Sequence, residues 1–316
     1  MARIGFSLSS EEHGPADLAR YTAAAKVHGF GDVWVSDHFH PWVDRQGQSP
    51  FVWTVLGAMA AAAPGVRLGT GVTCPTIRTH PAIIAQAAAT TAVLTGGRFF
   101  LGVGSGEALN EHILGDKWPP VSTRLEMLEE AVEVMRLLWQ GGLRAHEGKH
   151  YTVENARLYT LPDEPPPVYV SAFGPEACSL AAKIGDGLVT TSPDRDVIEQ
   201  YRKEGGRGPV LGAAKVCWGK DEKAARKLVH ELWPNSGLPG QLAQELHLPM
   251  HFEQACELVD EEAAVGPSPC GPDPEAHAEG LRTYIDAGFD EIYVQQIGPD
   301  QVPAMRFYRD EVLPRL

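Results

Sequence analysis

The chain has 316 residues, 43% of them apolar and 22% charged, a balance that excludes a disordered polypeptide. Its 27 Lys and Arg against 41 Asp and Glu leave a formal charge of −14, which argues against nucleic acid or an anionic membrane surface as a partner. No apolar run reaches the roughly 18–20 residues that cross a bilayer, and the longest, around Val52–Ala63, stops at Pro64.

Strand-like and helical segments alternate along the chain. Arg3–Leu8 has β character, and the apolar spacing of Ala16–Val27 predicts a helix that stops at Gly29. Asp32–Ser36 is rich in β-formers, and Phe51–Ala63 is alanine-rich and helical. Val66–Val72 reads as a third strand, Pro81–Leu94 as a helix opened by proline, and Phe99–Val103 as a fourth strand. Thr123–Trp139 carries the clearest amphipathic pattern. Beyond it, Val168–Ala172, Gly187–Thr190 and Val210–Val216 are strands, with helices at Glu176–Ile184, Asp196–Lys203 and Glu222–Leu232. A helix at Glu275–Ala287, a strand at Glu291–Gln295 and a closing helix near Pro303–Val312 complete the series.

Eight strands, nearly all separated by a helix, predict an α/β protein with one domain over residues 1–316, a (β/α)8 TIM barrel. A doubly wound open sheet is the structural alternative. Two stretches fall outside the alternation and read as insertions after the fourth and seventh strands: His146–Tyr159, with hairpin character, and the Pro/Gly-rich Pro234–Pro274. Met1–Phe6 enters the first strand without a signal-peptide layout. The five scattered cysteines form no CxxC pair. A reduced, cytoplasmic protein with neither a disulfide framework nor a zinc site is therefore expected.

Barrel chemistry collects where strands end and the following loops begin. Those positions hold Ser9-Ser10-Glu11, Ser36–Trp42, Gly71–Thr76, Gly102–Asn110, Ser171–Gly174, Thr190–Ser192 and Gln295–Gly298. Singly, each residue has an ordinary explanation: Asp37 caps a turn, Trp34 and Trp42 belong to a core, Glu107 is a surface carboxylate. Together, two acids, an imidazole and an indole at neighbouring strand ends make a candidate site. His38-Phe39-His40 has the H-x-H spacing of metal-dependent barrel hydrolases, yet the later strands end in Ser-Ala-Phe, Thr-Thr-Ser and Gln-Gln, so no metal is expected. Gly102, Gly104 and Gly106 miss the dinucleotide fingerprint, because Glu107 stands where its third glycine belongs. They still let backbone approach a flat or phosphorylated ligand.

The strings SDHFHPW and LGVGSGEALNE resemble signatures of the F420-dependent glucose-6-phosphate dehydrogenase family, within the luciferase-like barrel superfamily. LGTGVTCPTIRTHPAIIAQ, VYVSAFGPEA and KIGDGLVTTS follow the same pattern in the same order, so the resemblance is strong over residues 3–200 and loose in the C-terminal third. It implies coenzyme F420 at the C-terminal face of the barrel, with a hydride passing between the deazaflavin C5 and an alcohol carbon. In that scheme Asp37 contacts the cofactor, and His38 takes the hydroxyl proton as general base. Trp42 packs in the pocket and steadies the reduced, anionic deazaflavin. Glu107 is a carboxylate near the ring and the acid partner, and Glu11 is a second pocket acid. Gly71-Val72 falls at a non-prolyl cis peptide against the deazaflavin. Ser105, Gly106, Ala172, Gly174 and Thr191 fall at contacts to the ribityl-phosphate tail. A homodimer is implied as well.

The function expected is thus an F420-dependent oxidoreductase working on a small-molecule alcohol or ketone. The alternatives are a sugar-phosphate dehydrogenase, an FMN-dependent monooxygenase of the same superfamily, and a carrier that binds cofactor without turnover. Glucose 6-phosphate itself is not expected. Asp194 stands where the resemblance calls for a phosphate-binding lysine, Gln254 where it calls for a second, and Gly266 near an arginine. A buried phosphate dianion without such partners costs several kcal/mol. Arg195, Lys203 or His251 could compensate.

Overall fold

In the computed structural model, which describes residues 2–316, the apolar runs form eight barrel strands. They are β1 (Arg3–Leu8), β2 (Asp32–Val35), β3 (Arg67–Thr70), β4 (Phe99–Val103), β5 (Val168–Ser171), β6 (Gly187–Val189), β7 (Val210–Val216) and β8 (Glu291–Gln296). All pair in parallel in chain order, and β8 closes the barrel against β1 with Gly5 opposite Tyr293 and Ser7 opposite Gln295. Around them run α1 (Pro15–Val27), α2 (Val52–Ala62), α3 (Pro81–Leu94), α4 (Val121–Trp139), α5 (Pro175–Ile184), α6 (Arg195–Lys203), α7 (Glu222–Leu232) and α8 (Pro274–Ala287). This is the TIM barrel that the alternation predicts. Among the described residues, no helix is long and apolar enough to cross a membrane.

Differences from the expected pattern lie at element ends and in the insertions. β3 stops at Thr70, just before the Gly71–Val72 peptide, which is cis. The closing helix begins at Gln301 and is α-helical only to Phe307, after which Tyr308–Val312 forms a wider π turn. The first insertion holds an antiparallel hairpin of Arg144–Glu147 and Thr152–Ala156. The excursion between α7 and α8 is helical in short pieces, among them Pro249–Cys256 and Glu261–Val265. It is ordered there by apolar contact, since Leu238, Leu246 and Phe252 pack with Trp42, Val43 and Leu109.

Strand residues alternate between two environments. Val33, Leu101, Val170 and Val294 face the helices, while Trp34, Phe100, Tyr169, Leu211 and Tyr293 fill the barrel axis. Trp34 stacks on Tyr293 with ring centroids 4.2 Å apart and planes 7° from parallel. Such bulk fits only because facing positions are small: a Cβ on Gly69 would collide with the Phe100 ring, and one on Gly5 would sit 2.7 Å from Tyr293.

At the N-terminal end of the barrel, Arg67 bonds Asp32 at 3.1 Å, Glu291 at 2.7 Å and the Tyr169 hydroxyl at 3.0 Å, and lies over the Phe100 ring. This floor leaves the opposite end for chemistry. Arg67→Ala would strand Glu291 as a buried carboxylate with only Arg3 and Tyr293 as partners. It should lower unfolding free energy by about 3 kcal/mol in urea titrations, as removal of one member of a buried ion pair does.

Candidate active site

The C-terminal ends of β1 and β2 bring Glu11, His38 and Trp42 together. Glu11 is 1% exposed, and its Oε2 accepts from the hydroxyls of Ser9 and Ser36 at 2.7 Å each. Burial raises its pKa, but the facing His38 and the two hydroxyl donors outweigh that, and the net value falls below the ordinary carboxylate range. Glu11 is therefore charged. Its Oε1 lies 3.5 Å from His38 Nε2. His38 Nδ1 sits 3.3 Å from the His40 carbonyl, which can only accept. Each ring nitrogen therefore faces an acceptor, the His40 carbonyl at Nδ1 and the Glu11 carboxylate at Nε2. The Trp42 ring covers the imidazole, with centroids 4.9 Å apart.

Loops after β2, β3 and β4 hold this group in place. Asn110 Oδ1 accepts from the amides of Phe39 and His40 at 2.9 and 3.1 Å, and its Nδ2 donates to Glu107 Oε2 at 3.1 Å. His40 turns away to bond the Leu109 carbonyl at 2.8 Å and stacks on His112. The two histidines of the H-x-H string therefore diverge. Among the described residues, no three His, Cys, Asp or Glu side chains group as a metal site. Asp37 accepts from Arg78 at 2.9 Å and Thr73 at 2.8 Å. Arg78 also contacts Glu111, whose carboxylate accepts the Arg78 amide at 2.7 Å. Burial lifts Glu111 to about 7 in spite of that cation.

The remaining expected contacts lie on the other half of the mouth, after β4, β5 and β6. Ser105 and Gly106 follow β4. Gly106 has φ +81°, and a Cβ added to it would sit only 2.6 Å from Cys74 Sγ, so glycine is required there. Ala172 is buried, and its amide is spent on the Val189 carbonyl at 3.0 Å, leaving no free donor at that position. Gly174 precedes α5 and faces open space. Thr191 is exposed, and its carbonyl accepts from the Tyr284 hydroxyl. Gly71 and Val72, after β3, stand between the two halves.

Several residues at the mouth were not singled out from the sequence. Thr73, Arg78 and Asn110 lie within the quoted strings but carry no motif of their own. Lys215 continues the inward side of β7 after Leu211 and Ala213, and a lone lysine in an apolar strand was the available signal. Burial pulls its pKa down to about 8, opposed by Glu11 and Glu12. Glu12 accepts from Trp233 Nε1 and the Gly298 amide at 2.7 Å each, yet burial raises it to about 7. Because the folded value lies above the free value of 4.5, this group's stabilisation is complete below 4.5 and is lost as pH rises through about 7. Glu12→Gln removes that titration. The stability of wild type relative to this variant should therefore fall by about 2 kcal/mol between about pH 5 and about pH 8, as read by urea denaturation at each pH.

Comparison with known proteins places this geometry among relatives. The family model described as luciferase-like monooxygenase matches residues 1–291. An F420-dependent glucose-6-phosphate dehydrogenase of Nakamurella multipartita is 36% identical over 99% of this chain and 96% of its own. An F420-dependent hydroxymycolic acid dehydrogenase of Mycobacterium tuberculosis is 33% identical over 99% of this chain and 88% of its own. The structure of an F420-dependent secondary alcohol dehydrogenase in complex with an F420-acetone adduct superposes with a TM-score of 0.91 at 29% identity, covering 99% of this chain and 98% of that one. The chain belongs to the luciferase-like monooxygenase family.

Proposed function

We propose that this protein is an F420-dependent oxidoreductase that transfers a hydride between the deazaflavin C5 and the carbon of an alcohol or ketone. The observation that carries the reading is His38: one ring nitrogen lies against a carbonyl, and the other is held beside a carboxylate at a strand end. Relatives named for F420-dependent action on glucose 6-phosphate, hydroxymycolic acid and secondary alcohols support it. We further infer a homodimer in the cytoplasm, where its five free cysteines would stay reduced.

The far half of the mouth fits a cofactor with a phosphate tail. Thr190 Oγ1 is buried without a partner among the described residues. α5 follows Gly174, which has open space beside it and supplies no side-chain cap, a start suited to an anion. Asp37, Gly71, Val72, Ser105, Gly106, Gly174 and Thr191 are the residues that would hold the cofactor, with Ala172 lining it without a free donor and Glu107 near its ring. When bound, the deazaflavin supplies the C5 that accepts or returns the hydride.

The protein's own part is proton handling and orientation. Loss of hydride makes the alcohol carbon electron-poor, so the hydroxyl proton must leave in step, and His38 Nε2 receives it. The resulting imidazolium lies between the Glu11 carboxylate and the His40 carbonyl, each placed to accept from one of its two ring N–H groups. Trp42, braced edge-on by Phe252 at 5.2 Å, shields the imidazole. In the reverse direction the same nitrogen returns the proton to the carbonyl oxygen.

The three positions where the resemblance calls for phosphate-binding basic residues carry none. Asp194 caps α6 by accepting from the Asp196 amide, Gln254 sits in the helix Pro249–Cys256, and Gly266 ends the helix Glu261–Val265. Arg195, one candidate for compensation, donates to the Asp286 carbonyl at 2.6 Å. An uncharged alcohol or ketone suits this mouth better than a phosphate dianion.

Absorbance titration with F420, followed by turnover scored on its visible band, tests the reading; oxygen-dependent turnover with FMN would overturn it. His38→Ala should slow hydride transfer by roughly 10²–10⁴-fold while F420 affinity stays within a few-fold. An unchanged rate would remove the imidazole from the reaction. Glucose 6-phosphate should be turned over poorly beside a neutral secondary alcohol, and a KM in the micromolar range would refute the substrate assignment.

A further inference from the structure

Lys215 is a mouth residue of pronounced chemistry that the proton relay leaves unused. It sits opposite Gln295 in the β7–β8 ladder, and Gln295 sits opposite Ser7 on β1, so the ammonium emerges beside the strand end that carries Glu11. Nζ donates to Ser236 Oγ at 2.8 Å and lies 4.2 Å from the centroid of the Trp233 ring. Trp233 is itself anchored on Glu12 and belongs to the apolar cluster against which Trp42 packs. An ammonium carries three donors, and Ser236 accepts one. Glu11 and Glu12 act on Lys215 through space rather than as ion-pair partners among the described residues. A cation with donors to spare thus shares the mouth with a charged acceptor.

Two kinds of substrate group could use that cation. A phosphate or carboxylate would meet Lys215 but also the negative charge of Glu11. A neutral hydroxyl has the opposite fit, because it donates to a carboxylate and accepts from an ammonium at once. We infer that Lys215 and Glu11 together bind a second oxygen of the substrate, next to the carbon being oxidised, and so select a neutral vicinal diol or hydroxy-ketone over a mono-alcohol. The inference rests on reading this mouth as an alcohol-oxidising site.

Turnover with F420 is compared for cyclohexanol and trans-1,2-cyclohexanediol, in wild type, Lys215→Met and Lys215→Arg. Wild type should favour the diol in kcat/KM by roughly ten- to hundred-fold, the worth of a hydrogen bond to a charged group. The preference should collapse toward unity in Lys215→Met and return in part with Lys215→Arg. Tryptophan fluorescence titrations of the same two compounds without cofactor should show the same order of affinity through Trp233 and Trp42. If neither compound is turned over yet the diol binds more tightly in wild type and not in Lys215→Met, the redox reading fails and the recognition stands. Equal wild-type binding and turnover of the two compounds, or a diol preference that survives Lys215→Met, would overturn the inference.

Discussion

One guanidinium fastens the working end of the barrel. Arg78, in the loop after β3, lies between Asp37 after β2 and Glu111 after β4. Without a cation there, two buried carboxylates on the flanking loops would repel each other at a depth where water screens little. Asp37 is the residue before His38, so the position of the imidazole follows from that of its neighbour. Asn110 completes the fastening from the other side by accepting two successive amides of the same loop. His38 faces Glu11 because three loops have been tied by groups that need not touch a substrate.

The mouth divides into two halves of different character. Over β1, β2, β7 and β8 the side chains are titratable and closely coupled: Glu11 is held charged, Glu12 is raised to about 7, and Lys215 is pulled down to about 8. Burial is the first cause in every case, and partners decide the net direction only for Glu11. Over β4, β5 and β6 the surface adds glycines, hydroxyls and an uncapped helix start. A proton relay belongs on the first half and an elongated, phosphorylated ligand on the second. The floor of the barrel keeps its own charges around Arg67, away from both.

Much of this architecture was legible in the sequence because it follows from local patterns. β1, β4 and β7 were read to the residue, since Arg3–Leu8, Phe99–Val103 and Val210–Val216 are apolar runs bounded by polar or turn residues. β3 was overextended, since Gly71 and Val72 suit a strand by type even though the ladder ends at Thr70. Glu11, His38 and Trp42 could be proposed as a group because motif strings and strand ends coincide. What stayed hidden depends on distant partners. Arg78 looks like any loop arginine until Asp37 and Glu111 are folded against it. Glu12 resembles its neighbour in sequence and differs only through Trp233 and Gly298, more than two hundred residues away. The short helices of Pro234–Pro274 were invisible because they are stabilised by packing on Trp42 and Leu109 rather than by their own composition.

That packing has a consequence for how such an enzyme can diversify. Phe252 and Leu246, which roof Trp42, come from a segment that enters the barrel's βα series as an excursion and contributes no strand to it. Ser236 and Trp233, which frame Lys215, stand where that segment begins. The proton-handling residues are mounted on the strands, whose spacing the closed ladder dictates, whereas the ceiling is a replaceable fitting. Lineages built on this plan can remodel what they accept by editing one stretch of chain, while the machinery beneath it keeps its dimensions.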